Sequence, residues 1–154
     1  MKKLQNLQVG TFEYPTPEEL VKNARKKNFL LVPLFFLIYL ALRIVAGKPK
    51  LAYGKIPYFE IGKKNWGGVS FIWFFAISNN VSEATKQFHR DHETGHIIQA
   101  AMVGGTPVFL CNIKSMYRYW YFQFHKDEID HYWDWWYEAN ATSLGEDYNR
   151  ITRS

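Results

Sequence analysis

The chain has 154 residues, a formal net charge of +5 and a single cysteine, Cys111, which excludes a disulfide-stapled scaffold and a metal site built from clustered cysteines. Hydrophobic residues make up 47% and charged residues 21%, so the composition excludes a disordered chain and predicts one folded domain. Twelve of the 19 basic residues fall within the first 64 positions and bracket one apolar run. We interpret this charge as contact with membrane lipid; it does not favour a nucleic-acid partner.

The N-terminal segment, residues 1–28, is polar and contains one predicted helix. Thr16 can cap this helix, Pro17 suits its first position, and Glu19 completes a capping box with Thr16. These three residues predict a helix over residues 17–27.

The apolar run FLLVPLFFLIYLALRIVAG covers residues 29–47 and is 19 residues long, close to the ~20 that a membrane-spanning helix needs. Arg43 lies near one end, where its long side chain can extend to the lipid headgroups. The run predicts one N-terminal transmembrane helix over 29–47 and a single-pass membrane protein. Both flanks are basic, so the orientation stays open, and a helix buried in the core is the alternative.

The remainder, residues 48–154, is predicted to be an α+β domain. It is predicted to contain a region of turns and short extended segments, a buried strand and two helices. One aromatic stretch between the two helices cannot be assigned to a helix or a strand. In chain order these are residues 48–68, the strand Val69–Ser78, the helix from Ser82 to Val103, the unassigned stretch 106–126, and the helix Asp130–Gly145.

The sequence His92-Glu93-Thr94-Gly95-His96 is an H-E-x-x-H motif inside a predicted helix. Residues four apart share one helix face, so His92 and His96 can bind the same metal ion. Glu93 is predicted to be the catalytic residue, acting as general base toward a metal-activated water. Zn²⁺ suits this set of ligands best and keeps one position open for water and substrate.

A catalytic zinc site needs a third protein ligand, and Glu138 is the best candidate. It lies in a predicted helix among large aromatic residues, and the small Ala139 and Ala141 would let that helix approach the motif closely. Asp134 is the rival ligand, and His131 is a further possibility if Glu138 does not bind. His131 and Tyr137 are also candidates for stabilising an oxyanion.

The pair of motifs HETGH and WYEANA resembles the gluzincin metallopeptidases, whose third ligand is a Glu on a helix downstream of the H-E-x-x-H motif. Over residues 30–145 the chain also resembles a family of small bacterial membrane-associated proteins. The matching stretches are Gly62–Gly68, His92–Gln99, Arg118–Tyr121 and Trp136–Gly145, with departures at Thr94 and at Ala139-Asn140. The resemblance implies a minimal zincin-like core, with a short sheet, an H-E-x-x-H helix and a Glu-bearing helix. It also implies that the strand 69–78, or the Trp-Gly-Gly stretch before it, binds the substrate backbone.

Together these features predict a zinc-dependent hydrolase, most directly a membrane-associated metallopeptidase that acts on a peptide or protein substrate. The alternative is a non-catalytic membrane-associated binding or scaffold protein whose metal is structural or vestigial. A third hypothesis, nucleic-acid binding through the aromatic residues 117–121, is weaker, because an interfacial belt or packing against the Trp-rich helix explains these residues better.

Overall fold

The computed structural model describes residues 8–9, 12–62, 66–125 and 135–153, and in these ranges the protein is an α+β domain with five helices and a four-stranded sheet. The strands are β1 (Gln8–Val9), β2 (Phe12–Glu13), β3 (Lys50–Ala52), β4 (Ile56–Ile61), β5 (Gly68–Ser70) and β6 (Phe75–Ser78). The helices are α1 (Pro17–Lys27), α2 (Val32–Ala46), α3 (Glu83–Met102), α4 (Gly105–Phe124) and α5 (Trp136–Arg153). Strands β1 and β2 pair with each other, apart from the main sheet.

The main sheet has the order β3-β4-β6-β5 and mixes both strand directions. The pairs β3/β4 and β5/β6 are antiparallel, whereas β4 and β6 run parallel. β6 is central and fully buried, and β5 forms one edge of the sheet. Helix α3 packs against β5 and β6, and this contact brings its motif to the β5 edge.

The predicted capping box is confirmed at the start of α1. The Thr16 hydroxyl accepts from the backbone N–H of Glu19, and the Glu19 carboxylate accepts from the backbone N–H of Thr16. The predicted helix around the H-E-x-x-H motif is also confirmed, with Ser82 as its cap. Helix α3 lies at the centre of the molecule, between the sheet and the helices α1 and α5.

The predicted transmembrane helix at residues 29–47 is wrong. Residues 28–31 form a turn, so α2 has only 15 residues, or about 22 Å, against a bilayer core of ~30 Å. One face of α2 also packs on the sheet, where the ring of Tyr39 lies edge-on to Phe59 and Phe74 at 5.3 and 5.2 Å. None of the described helices combines the length and apolarity needed to cross a bilayer, and this overturns the single-pass localisation.

Two predicted elements have different bounds. Residues 69–78 form two antiparallel strands, β5 and β6, because a turn with positive φ at Ile72 (68°) reverses the chain between them. Helix α5 continues past Gly145 to Arg153. The unassigned stretch 106–126 contains most of α4, and the predicted helix residues 130–134 lie outside the described ranges.

Candidate metal centre

Three side chains from two helices meet in the buried interior. His92 and His96 lie one turn apart on α3, and Glu138 comes from the first turn of α5. The Glu138 Oε2 atom is 3.1 Å from His92 Nε2 and 3.3 Å from His96 Nε2. One ligand atom from each residue lies within 4.8 Å of the others, so this buried group could bind a metal ion.

The two helices can bring these ligands together because glycines line their contact. A Cβ atom added to Gly95 would lie 1.8 Å from the carbonyl oxygen of Ala141, and one added to Gly145 would lie 1.8 Å from that of Asp91. Both contacts involve backbone atoms, which cannot rotate away. Gly95 of the H-E-x-x-H motif and Gly145 of α5 therefore set the spacing between the two helices.

The hydrogen bonds of His92 determine which of its ring nitrogens carries the proton. The Thr142 hydroxyl donates to the Glu138 carbonyl oxygen at 3.1 Å, so it can only accept at its 2.9 Å contact with His92 Nδ1. The proton of neutral His92 therefore lies on Nδ1. This leaves the Nε2 lone pair directed at the Glu138 carboxylate.

His96 is held in the same way by a different partner. The Gln99 amide nitrogen donates to the Tyr137 carbonyl oxygen and to Asn140 Oδ1, both at 2.9 Å. The Gln99 oxygen therefore faces His96 Nδ1 at 2.8 Å and accepts a proton from it. The Nε2 lone pair of His96 also points at Glu138.

Glu138 is the anionic member of the group, and its side chain is completely buried. Ser115, on α4, donates a hydrogen bond to its other carboxylate oxygen, Oε1. Burial by itself raises the pKa of the Glu138 carboxyl, but the hydrogen bonds that His92 and His96 donate from Nε2 when their rings are protonated outweigh it and hold this pKa far below its usual range. The carboxylate is therefore charged inside the protein.

The group as a whole attracts positive charge. Burial lowers the pKa of His92. Burial also acts to lower the pKa of His96, but there the hydrogen bond that the protonated ring makes to Glu138 is stronger, so the pKa of His96 is raised. Two nitrogen lone pairs facing a carboxylate repel it unless a cation lies between them or a proton joins one of them. Imidazoles whose Nδ1 protons are bound by other groups are typical of metal ligands, and the donor set fits a divalent cation.

Glu93, the predicted general base, is also buried, and it lies between α3 and the edge of the sheet. An added Cβ atom at Gly68 of β5 would be 2.5 Å from Glu93 Oε1, so the carboxylate occupies the space that a side chain at Gly68 would fill. Burial raises the pKa of Glu93 to about 8; the charge of His96 opposes this shift and the charge of Glu138 adds to it. A carboxyl group in this range can exchange a proton near neutral pH.

Tyr137 contacts the centre, but the hydroxyl proton that would stabilise an oxyanion is donated elsewhere. Its ring stacks on His96 with 4.8 Å between centroids, and its hydroxyl donates to Asn112 on α4. The other candidates for that role and for the third ligand, His131 and Asp134, lie outside the described residues.

Sequence reasoning missed the side chains that hold the ligands in place. Thr142 follows Glu138 by one turn and Gln99 follows His96 by three residues, so helix spacing could have identified both. No local pattern pointed to Ser115, because it comes from a helix that the sequence did not define.

Comparison of the chain with protein-family models, with curated proteins and with solved structures finds no match.

Proposed function

We propose that the protein is a zinc-dependent hydrolase, most directly a metallopeptidase related to the gluzincins that its two motifs resemble. One observation carries the proposal. The Nε2 atoms of His92 and His96 and the carboxylate of Glu138 converge, while the Nδ1 atoms are bound by Thr142 and Gln99. Such an arrangement brings one ligand atom from each of the three residues to the same point.

Zinc is the proposed cation because two imidazole nitrogens and one carboxylate oxygen are the three-ligand set of many catalytic zinc sites. His92, His96 and Glu138 would hold the zinc, which would supply Lewis acidity to activate water and polarise a carbonyl group. The Ser115 hydroxyl orients the carboxylate, so that one oxygen faces the two imidazoles.

The proposed role of Glu93 is to accept a proton from the attacking water and to pass it to the leaving group. The position of Glu93 supports this role, because Glu93 follows the proposed ligand His92 directly and its side chain is as buried as those of the three ligands. A buried carboxylate with a raised pKa holds a proton more readily than an exposed one.

The proposed substrate is an extended peptide, because a strand edge lies beside Glu93. β5 pairs with β6 on one side and is the last strand of the sheet in the described ranges. Its Gly68 contacts the Glu93 side chain directly. A peptide that paired with β5 would carry its backbone carbonyls past the proposed base.

The proposal is tested with three purified variants. Glu93→Gln should retain stoichiometric zinc, while hydrolysis of a peptide library falls by about 10²- to 10⁴-fold. Glu138→Ala should lose both zinc and activity, and the exposed Glu146→Gln on the same helix is the control that should lose neither. Zinc is measured by elemental analysis. Full activity in Glu93→Gln, or zinc retained at wild-type affinity in Glu138→Ala, would contradict the proposal.

A second candidate is a structural metal site, and the burial of the group favours it. The side chains of His92, His96 and Glu138 are only 6%, 9% and 0% exposed. Wild-type protein that binds zinc tightly, cleaves no peptide and unfolds when zinc is removed would support this candidate instead.

A further inference from the structure

Helix α2 has apolar side chains on both faces, and only one face is covered. Tyr39 packs against Phe59 of β4, and Phe35 packs against Phe71 in the turn between β5 and β6. The opposite face exposes six large hydrophobic side chains, namely Leu34, Phe36, Leu37, Leu40, Ile44 and Val45. Ile44 and Val45 are 85% and 80% exposed, so this face is apolar and open to its surroundings.

Helix α4 has a second exposed apolar face, and half of the six large side chains on it are aromatic. It includes Leu110, Ile113, Met116, Tyr117, Trp120 and Phe124. Tryptophan and tyrosine are the residues most enriched where protein meets the headgroup region of a bilayer.

The two helices begin close to each other. Lys27, at the end of α1, donates a hydrogen bond to the Met102 carbonyl oxygen at 2.6 Å, and Asn28 donates to the Ala100 carbonyl oxygen at 3.1 Å. These bonds join the turn that leads into α2 to the end of α3, from which α4 follows. The first turns of α2 and α4 therefore lie near each other.

Basic residues outnumber acidic ones in the parts of the chain that contain these two helices. The sequence contains no acidic residue between Glu19 and Glu60, a stretch with eight basic residues that includes α2 and most of α1. It contains none between Glu93 and Asp127 either, a stretch that includes all of α4 with Lys114 and Arg118. Lys50 and Lys55 of the first stretch form ion pairs with Glu60 and Glu18, whereas its other six basic residues lie within or directly beside α1 and α2. Apolar helices rich in such cations complement an anionic lipid surface, whereas a second copy of this chain would bring like charges together.

We propose that the exposed faces of α2 and α4 form one docking surface for an anionic lipid bilayer. The helices lie on the headgroup region, with their exposed apolar side chains inserted and the neighbouring lysines and arginines contacting the lipid charges. The inference does not depend on the metal or on hydrolysis.

The test is co-sedimentation of the full chain with vesicles of phosphatidylcholine alone or mixed with phosphatidylglycerol. We expect binding to the mixed vesicles that weakens as salt is added, and at least about tenfold weaker binding to neutral vesicles. Ile44→Glu and Met116→Glu, one on each helix, should each reduce binding by at least about tenfold. Ser143→Glu adds the same charge at an exposed position of α5 and should bind like the wild type.

Circular dichroism and thermal unfolding check that the variants fold, since both substituted side chains point outward. The proposal is overturned if the wild type ignores phosphatidylglycerol vesicles, or if Ser143→Glu weakens binding as much as Ile44→Glu. It is also overturned if sedimentation velocity without lipid shows a stable dimer that Ile44→Glu dissociates, because the surface would then be an interface between two copies.

Discussion

Replacing Gly145 with alanine should destabilise the protein, although helix propensity alone predicts the opposite. Gly145 lies inside α5, where alanine is favoured over glycine by roughly 0.5–1 kcal/mol. The new Cβ atom, however, would lie 1.8 Å from the Asp91 carbonyl oxygen, and real Cβ contacts are essentially never shorter than 3.0 Å. Helices α3 and α5 must therefore separate by at least about 1.2 Å.

The magnitude follows from these two opposing effects. Overpacking of this kind costs about 1–3 kcal/mol, and the upper end applies because both clashing groups are backbone. After the gain in helix propensity, we expect a net loss of about 2 kcal/mol in the free energy of unfolding. The same separation moves Glu138 away from His92 and His96, so zinc should be lost to a chelator more readily.

Urea denaturation in the presence of a chelator measures the first effect, and competition with a chromophoric chelator measures the second. Gly95→Ala should behave like Gly145→Ala, because its Cβ atom would lie 1.8 Å from the Ala141 carbonyl oxygen. Gly62→Ala is the matched control, since its nearest neighbour, Asn79 Oδ1, is 3.6 Å away. If Gly145→Ala and Gly95→Ala are as stable as Gly62→Ala, the reasoning from close helix approach is refuted.

Three further predictions concern the surroundings of the centre. Thr142→Val removes the acceptor of the His92 Nδ1 proton, so zinc binding measured by chelator competition should weaken by about 10- to 100-fold. An unchanged zinc affinity would contradict the tautomer assigned to His92. Gly68→Ala should displace the Glu93 carboxylate and lower the rate of peptide hydrolysis. Zinc content and the free energy of unfolding should stay near the wild-type values. Loss of zinc would show instead that the whole centre had moved. Burial lowers the pKa of His89, so the unfolded chain binds a proton near pH 6.5 that the folded chain does not. The free energy of unfolding should therefore fall as pH is lowered from about 7 to about 5, and this fall should be smaller in His89→Asn; parallel curves for the two proteins would exclude His89 as a cause.

The sequence identified elements whose signals are local. Thr16 caps α1 as predicted, and Ser82, one of two candidates with Asn80, caps α3, because a capping side chain needs only the next three residues to act. The spacing of His92 and His96 is likewise a property of one helix. Glu138 required a further argument, namely that a carboxylate between large aromatic residues needs a strong partner, and the structure brings it to the two imidazoles.

The errors arose where tertiary contacts decide the outcome. The composition of residues 29–47 is equally typical of a spanning helix and of one that packs on a core, and the contacts of Tyr39 with the sheet are not visible in it. Gly145 was interpreted as a helix end because glycine often stops helices. Here it lies within α5 because the backbone of α3 leaves no room for a side chain.

The distance along the chain between the ligands has a consequence for metal loading during synthesis. Glu138 follows His92 by 46 positions, so at about 5–20 residues per second the ribosome adds it several seconds later. During that interval the nascent polypeptide offers a pair of nitrogen donors without the oxygen donor. Such a half-formed site binds copper or nickel more strongly than zinc, in line with the general affinity order of divalent metals. If the centre takes zinc, as we propose, its loading would therefore require α5 to dock before a competing ion binds the two imidazoles.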